Sequence, residues 1–163
     1  MREPGRPTTS PAAAVWPPTG TAFRREERIA DVRTDESWEA LVALVLTWGV
    51  KTRSGFAVDP PVSVEVGQRS TITAGALGVA VHEPVEVVEV VHRTDRAGFA
   101  YRTLPGHPVD GEEAFVLHRA DGRIRLTVRS LTRPAARGPW RPLYPALLLA
   151  QAVAHRRYLR ALG

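Results

Sequence analysis

The chain has 163 residues, no cysteine and a net charge of +5, and a chain of this length is ordinarily one domain. The absence of cysteine excludes disulfides and thiolate chemistry, and no apolar run reaches the roughly 18–20 residues that a membrane span requires. The N-terminus also lacks the basic and then apolar order of a signal peptide, so we expect a cytoplasmic protein.

The basic residues are unevenly distributed along the chain. Of the 22 basic residues only Lys51 is a lysine, which is a composition typical of a GC-rich genome. Residues 121–163 contain nine arginines and one acid, so one end of the protein is basic and an anionic partner is one hypothesis for it. No aromatic residues interleave with these arginines as a base-stacking platform requires, so we do not expect a nucleic-acid partner.

The first half of the chain predicts an arm, a helix and several short strands. Residues 1–21 are rich in Pro, Ala and Thr and predict a disordered arm, which leaves residues 22–163 as a single domain. Residues 24–33 leave room for a short edge strand. Thr34 is the predicted N-cap of a helix that ends near Gly49. Its apolar positions follow helical spacing: Trp38, Leu41, Val42, Val45 and Leu46.

Strands are predicted next at residues 62–66 and 71–73, where apolar or β-branched residues alternate with polar ones. Residues 79–81 and 85–92 are β-branched runs, and Pro84 between them allows at most a bent or edge strand at the break, because proline lacks the N–H that a sheet needs. The inward face of residues 85–92 is left open by the pattern, since both faces carry valines together with at least one acid.

The most regular alternation lies between residues 97 and 131. Two strands have one apolar face each, formed by Ala97, Phe99, Tyr101 and Thr103 and by Glu113, Phe115 and Leu117. Asp121-Gly122 predicts a tight hairpin turn. In the strand after it, Ile124, Leu126 and Val128 face the core, whereas Arg123, Arg125, Thr127 and Arg129 form a face expected to meet water.

The last element is a long helix predicted from about Tyr144 to Ala161. Its predicted apolar side consists of Ala146, Leu149, Ala150, Val153, Ala154 and Tyr158. The order of strand, helix, antiparallel strands and long helix predicts the α+β class, with an antiparallel sheet wrapped around the C-terminal helix and an additional N-terminal helix. This arrangement is known as the helix-grip.

Several short motifs resemble a known family. They are Gly98-Phe99-Ala100-Tyr101, Thr103-Leu104-Pro105-Gly106-His107-Pro108, Gly111-Glu112-Glu113-Ala114-Phe115, Thr132-Arg133-Pro134-Ala135 and the segment from Arg156 to Leu162. Together they resemble the domain-of-unknown-function family nineteen-ninety of bacteria and plants, over about residues 23–163. The resemblance implies a helix-grip similar to the START and Bet v 1 superfamily, whose members enclose apolar ligands, and it implies no established activity.

The best candidates for acid/base chemistry are His107, Glu113 and Tyr101. Pro105 and Pro108 make a stiff loop that presents His107 near Asp110 and two glutamates, and a histidine beside carboxylates can transfer protons near neutral pH. A purely structural role is the alternative, with His107 and the glutamates satisfying the loop and Tyr101 packed in the core.

We predict that the protein binds a small apolar molecule in a cavity between the sheet and the C-terminal helix. The predicted ligand-binding residues are Phe99, Tyr101, Thr103, Phe115, Leu117, Ala150 and Ala154. An enzyme that uses the same cavity for cyclisation, isomerisation or hydrolysis is the alternative function, and an interaction module for an anionic partner is a third. The five histidines are scattered, so we predict no metal site and no cofactor.

Overall fold

The computed structural model describes residues 5–76 and 78–163. Its strands are β1 (Arg24–Asp31), β2 (Phe56–Asp59), β3 (Arg69–Ala76), β4 (Val79–His92), β5 (Arg96–Thr103), β6 (Val109–Ala120) and β7 (Arg123–Pro134). The helices are α1 (Trp38–Leu46), α2 (Gly49–Thr52) and α3 (Tyr144–Tyr158), and a single 3₁₀ turn (Arg141–Leu143) precedes α3.

The seven strands form one antiparallel sheet in the order β1-β7-β6-β5-β4-β3-β2. The inner face of this sheet packs against α1, α2 and the end of α3 in one hydrophobic core. The hairpin between β6 and β7 turns at Asp121 and Gly122, both with positive φ, as the sequence predicts. The α+β helix-grip is therefore confirmed, with an antiparallel sheet, an N-terminal helix and a C-terminal helix.

The first helix forms where its apolar spacing predicts it, but its N-cap differs. The hydroxyl of Ser37 accepts a hydrogen bond from the backbone N–H of Ala40 at 3.1 Å, so Ser37 caps α1. The hydroxyl of Thr34, the predicted cap, instead accepts a bond from Glu36 in the preceding loop. The apolar face of α1 then buries Trp38, Leu41, Val42 and Val45.

The strand predicted at residues 62–66 is wrong. Val64 is buried, and its N–H donates to the carbonyl of Leu46 at the end of α1 at 2.8 Å rather than to a neighbouring strand. Val62 and Val66 are exposed, so the alternation reflects a loop with one side chain resting on the core. The strand in this region is β2, which lies upstream and pairs with β3.

β4 is one continuous strand of 14 residues that runs through Pro84. The pairing of β4 with β5 ends at Val85 and Thr103, so Pro84 lies just beyond that ladder. The N–H that proline lacks is therefore not needed for pairing with β5. The carbonyl of Pro84 accepts a hydrogen bond from Leu104 at 2.9 Å.

A bulge between Val87 and Glu89 decides which face of β4 is buried. Val85 and Val87 pack in the core, and the extra residue at the bulge allows Val90 to pack against the same core. Glu86 therefore lies on the outer face, where its carboxylate pairs with the arginines Arg69 and Arg102.

The prediction of the apolar side of α3 is partly wrong. Leu149 is 73% exposed and Val153 is 49% exposed, whereas the buried residues of the helix are His155 and Tyr158. The reason is that α3 packs closely on the core only through its C-terminal turns. Its N-terminal turns stand over a cavity.

The N-terminal segment lies on the outer face of the sheet, which corrects two predictions. The guanidinium of Arg129 donates to the carbonyls of Ser10 at 2.7 Å and Ala13 at 3.0 Å, and it also reaches Thr9 and Ala14. Trp16 packs in a buried cluster with Phe23 and Leu131. The segment from Gly5 onward is therefore packed and not a disordered arm, and residues 1–4 lie outside the described residues.

The same segment covers part of the face of β7 that the alternation predicts to meet water. Thr127 and Arg129 are both 2% exposed, whereas Arg123 is exposed. The alternation of β7 is as predicted, but this part of its polar face is buried because backbone carbonyls of the N-terminal segment satisfy the guanidinium of Arg129.

Candidate functional site

A cavity of about 380 Å³ lies between the inner face of the sheet and α3. Side chains of the sheet form its base, α3 forms its roof, and Lys51 enters it from α2. The principal lining residues are Lys51, Phe56, Glu83, Tyr101, Thr103, His107, Val109, Glu113, Thr132, Leu147, Leu148, Ala150, Gln151, Ala154, Arg157 and Tyr158.

Lys51 is the centre of the polar end of this cavity. Its side chain is 4% exposed, and its ammonium donates to the hydroxyl of Tyr158 at 2.6 Å. The ammonium nitrogen lies 3.1 Å from Oε2 of Glu113 and 4.8 Å from the centre of the Phe56 ring. The charge is thus matched by one carboxylate and by the face of an aromatic ring.

Glu113 is held by three neighbours. Oε2 accepts from the hydroxyl of Tyr101 as well as from Lys51, and Oε1 accepts from Nε2 of His155 at 3.0 Å. The ring of His155 is buried, and its Nδ1 lies 3.6 Å from Glu26 on β1. The result is a buried network that joins α2, β5, β6 and α3.

The ionisation of this network follows from its geometry. Burial by itself lowers the pKa of Lys51, but the charge of Glu113 outweighs burial, so the pKa lies well above its usual value. Burial raises the pKa of Glu113, but the charge of Lys51 and the hydrogen bond from His155 lower it well below its usual range. Lys51 and Glu113 are therefore a charged pair.

The two tyrosines keep their protons. Burial and the nearby charge of Glu113 raise the pKa of Tyr101 well above its usual value. Burial raises the pKa of Tyr158 despite the opposing charge of Lys51. Both phenol groups therefore keep a proton to donate: Tyr101 donates to Glu113, whereas the oxygen of Tyr158 accepts from Lys51.

His107 lies at the other side of the cavity, in the loop that follows β5. Its backbone N–H donates to the carbonyl of Leu104 at 3.1 Å, and Gly106 adopts the positive φ of 97° that this turn requires. Nδ1 of His107 accepts from the N–H of Val109 at 3.1 Å, so the neutral ring carries its proton on Nε2.

His107 and Glu83 face each other across 4.0 Å. Burial, helped by the charge of Lys51, lowers the pKa of His107 to about 4. Burial also raises the pKa of Glu83. At neutral pH a neutral imidazole therefore stands beside a carboxyl group that is easier to protonate than usual.

A second hollow, of about 680 Å³, lies on the other side of the His107 loop. It shares Thr103, His107 and Val109 with the cavity beneath α3, so this loop is the wall between the two. Its other lining residues belong mainly to loops.

Six of the nine predicted site residues line the cavity beneath α3. They are Tyr101, Thr103, His107, Glu113, Ala150 and Ala154. Phe99, Phe115 and Leu117 lie elsewhere in the packed core, where the ring of Phe99 meets Trp48 at 4.7 Å. They share the inward face with Tyr101 and Glu113, but the cavity occupies only the end of the sheet beneath α3.

Two acids placed near His107 by the sequence turn away from it. Asp110 pairs with Arg6 and Arg133 on the outer face. Glu112 accepts two hydrogen bonds from Thr9 in the N-terminal segment. Glu112 and Glu113 both border the cavity, but the carboxylate of Glu113 is the one that meets Lys51, because the side chains of adjacent strand residues face opposite sides.

Four residues of the site are not predicted by the sequence pattern: Lys51, Glu83, His155 and Tyr158. One signal for Lys51 was available, since it is the only lysine among 22 basic residues. His155 and Tyr158 are three residues apart and therefore share one side of a helix. Neither signal by itself indicates which carboxylate these side chains meet.

The predicted row of arginines on β7 is engaged within the protein. Arg125 pairs with Asp31 at 3.0 Å and Arg129 with Glu27 at 2.6 Å. Arg133 pairs with Asp110 and lies over the ring of Phe23. These contacts hold β1 and the N-terminal segment against the sheet.

The described ranges, 5–76 and 78–163, contain no cluster of three or more His, Asp or Glu side chains that could hold a metal ion. No helix within those ranges has the length and apolar character needed to cross a membrane.

Solved structures define the class of fold. The hypothetical protein jhp0584 from Helicobacter pylori aligns with a TM-score of 0.60 over 86% of this chain and 84% of that one, at 14% identity. Ara h 8.0201 aligns with a TM-score of 0.55 over 86% of this chain and 99% of that one, at 11% identity. The ginseng major latex-like protein 151 from Panax ginseng gives 0.54 over 84% and 99%, at 11% identity. The chain has a Bet v 1-like fold, and at these identities the likeness concerns the fold alone.

The family follows from the sequence match. The model of the domain of unknown function DUF1990 matches residues 7–161, and the chain belongs to that family. A UPF0548 protein from Deinococcus radiodurans is 41% identical over 78 residues, which cover 47% of this chain and 38% of that relative. The family match begins within the N-terminal segment that covers the outer face of the sheet.

Proposed function

We propose that the protein binds a small, largely apolar molecule between the sheet and α3. The observation that carries this proposal is the cavity of about 380 Å³, since ligand sites typically enclose about 300–1,000 Å³. Its walls include Phe56, Leu147 and Leu148, and its polar groups are gathered near Lys51 and His107. Apolar walls with a few placed polar groups are the usual composition of such sites.

The way α3 packs supports the same proposal. Tyr158 anchors the end of the helix in the core, where its ring meets Phe115 at 5.1 Å. Further along the helix, Ala150 and Ala154 line the cavity with small side chains. A large residue at either position would occupy the space that we assign to the ligand.

Ala154→Phe tests this proposal, with Ala146→Phe as the matched control on the same helix. Ala154 lines the cavity, whereas Ala146 is exposed and does not. We expect tetralin, an apolar bicyclic probe, to bind the unmodified protein and Ala146→Phe in saturation-transfer NMR. We expect Ala154→Phe to lose that signal, because the added ring fills the cavity. Equal binding by both variants would contradict the proposal.

Native mass spectrometry of the protein purified from its own host would identify the natural ligand. We expect a mass excess under gentle conditions that disappears on denaturation and is absent from Ala154→Phe.

An acid/base enzyme is the second candidate, and the pairing of Glu83 with His107 favours it. Burial raises the pKa of the Glu83 carboxyl, and a carboxyl with a raised pKa is suited to general acid/base catalysis. Glu113 is less suited as a base, because its carboxylate already accepts from three donors.

Deuterium exchange into the ketone α-tetralone would distinguish the two candidates. An acid/base site would accelerate exchange at the carbon beside the carbonyl, and Glu83→Gln would abolish the acceleration. Exchange at the rate of buffer alone, with the ketone bound, would leave binding as the function.

A further inference from the structure

We infer that the bound molecule carries an uncharged acceptor oxygen, such as the carbonyl of a ketone, ester or amide, which accepts from the hydroxyl of Tyr158 and the ammonium of Lys51. This inference rests on the proposed function, since it specifies the ligand of the same cavity. It is carried by a count of donors and acceptors at the polar end of that cavity.

The hydroxyl of Tyr158 has a proton to donate. Its oxygen accepts from the Lys51 ammonium at 2.6 Å, so its own hydrogen must point away from Lys51. Within residues 5–76 and 78–163, the Lys51 contact is the only hydrogen bond that this hydroxyl makes. Tyr158 is 2% exposed, and a buried donor without an acceptor is destabilising.

Lys51 has a donor of the same kind. An ammonium has three N–H groups, and among the described residues those of Lys51 meet two oxygens, one on Tyr158 and one on Glu113. The third N–H therefore meets no oxygen of these residues, and it belongs to a group that lines the cavity. Nζ of Lys51 and the hydroxyl oxygen of Tyr158 are 2.6 Å apart. One ligand oxygen with two lone pairs can therefore accept a hydrogen bond from both groups.

The Glu113 carboxylate has about four acceptor positions and three of them are filled, so this end of the cavity offers free donors more than free acceptors. Glu113 accepts from Lys51, Tyr101 and His155. The free donors of Tyr158 and Lys51 instead require an acceptor from the ligand.

The charges favour an uncharged acceptor over a carboxylate. The Lys51 ammonium is already matched by Glu113 at 3.1 Å, and Glu83 also lines the cavity. A ligand carboxylate would add another negative charge beside these acids in a buried site. Arg157 also lines the cavity, but it is exposed and its guanidinium lies near Gly55.

The test compares α-tetralone with tetralin, which has the same ring skeleton and no oxygen. We expect the full chain to bind the ketone about 25-fold more tightly in calorimetric titration, which is the effect of two typical hydrogen bonds. We expect Tyr158→Phe to reduce this ratio of affinities to about five, because the Lys51 ammonium still donates to the ketone. Tyr144→Phe is the matched control, because its hydroxyl donates to the Thr132 carbonyl and it does not line the cavity.

A second measurement does not depend on a variant. The carbonyl stretch of isotopically labelled α-tetralone should move to lower frequency on binding, relative to its position in an alkane solvent, because two donors polarise the bond. Tetralin carboxylate should bind more weakly than the ketone.

The outcomes separate this inference from the proposed function. If tetralin binds but the ketone has no advantage, or if the carbonyl stretch stays at its alkane position, the inference is overturned and the cavity remains a binding site. Tighter binding of the carboxylate would also overturn it. If none of the three probes binds, the proposed function fails and this inference fails with it.

Discussion

Lys51 is a charged side chain in the core, and its neighbours explain why it is tolerated there. Removing an ammonium from water is costly unless a partner of opposite charge and hydrogen-bond acceptors replace the water. Glu113 provides the charge, and the hydroxyl of Tyr158 provides an acceptor. The pair depends on both partners, since either charge alone would be buried without compensation.

We expect Lys51→Met to lower the free energy of unfolding by about 3–5 kcal/mol, because it leaves the carboxylate of Glu113 buried and uncompensated. Urea denaturation at pH 7 measures the change. Arg125→Met is the control, since Arg125 and Asp31 form an exposed pair of the kind that contributes about 0–1 kcal/mol. The double variant Lys51→Met, Glu113→Gln should recover part of the loss. Equal effects of Lys51→Met and Arg125→Met would contradict the prediction.

The pH dependence of this pair follows from the directions of its pKa shifts. The pKa of Glu113 is lowered, so its contribution is present above about pH 4.3 and is lost as the pH falls through the folded-state pKa. The pKa of Lys51 is raised, so its contribution is present below about pH 10.4 and is lost as the pH rises through the folded-state pKa. Between about pH 5 and pH 10 the pair adds no pH dependence.

His107 adds a dependence within that window. Its pKa falls from 6.5 to about 4 in the folded protein, so below pH 6.5 the unfolded chain binds a proton that the folded protein does not. The contribution of His107 to stability therefore falls by up to about 2 kcal/mol between pH 6.5 and pH 5. The raised pKa of Glu83 acts in the opposite direction.

We expect His107→Gln to be less sensitive to acid than the unmodified protein between pH 6.5 and pH 5, because glutamine does not titrate and Glu83 is retained. Urea denaturation across that range measures the difference. His82→Gln replaces an exposed histidine of the same sheet and should follow the unmodified protein. Parallel curves for His107→Gln and the unmodified protein would rule out the buried neutral imidazole.

At the scale of elements, β7 illustrates how a correct local pattern can lead to a wrong environment. Its alternation predicts the inward face correctly, since Leu126 and Val128 are buried in the core. The outer face was expected to be wet because it carries arginines. It is covered at Thr127 and Arg129, because the guanidinium of Arg129 binds several carbonyls of the N-terminal segment at once.

We expect Arg129→Lys to loosen the N-terminal segment, because a lysine ammonium cannot reproduce the planar, forked contacts of a guanidinium. Backbone amides of residues 9–14 should exchange with deuterium about tenfold faster, which corresponds to the loss of one or two hydrogen bonds. Arg123→Lys, at an exposed position of the same strand, should leave this exchange unchanged. Unchanged protection in Arg129→Lys would show that Trp16 and its neighbours hold the segment without the guanidinium.

In two other elements, the periodicity of apolar residues does not identify the buried face. The bulge in β4 shifts the alternation by one residue, so neither of the two simple faces read from residues 85–92 is the buried one. On α3, the side predicted from its apolar residues is largely exposed, because the helix packs against the sheet only through its last turns. Both features depend on what the element packs against.

For the whole molecule, net charge is a poor guide to partners. The chain carries a charge of +5 and a basic C-terminal region. Arg125, Arg129 and Arg133 nevertheless pair with acids of β1 and β6. An anionic partner would have to compete with those intramolecular contacts.

We expect only weak, nonspecific binding of duplex DNA, with a Kd no tighter than about one micromolar at about 0.15 M salt. Any binding should weaken steeply as salt is raised, because it depends on the release of counterions. Fluorescence anisotropy with two unrelated duplexes provides the measurement. Tight binding that depends on duplex sequence, or that is insensitive to salt, would revive the hypothesis of an interaction module for nucleic acid.

The local sequence was enough to predict β5, β6, β7, their inward faces and the hairpin at Asp121-Gly122, because alternation and turn formation depend on adjacent residues. It also placed His107, Tyr101 and Glu113 among the candidates. Only the tertiary structure shows that Lys51 contacts Tyr158 and that Glu113 contacts His155. The first pair is separated by 107 residues of sequence and the second by 42. The tertiary structure also decided that Arg129 is buried. Such pairings depend on the distances between elements, which no local period of hydrophobicity encodes.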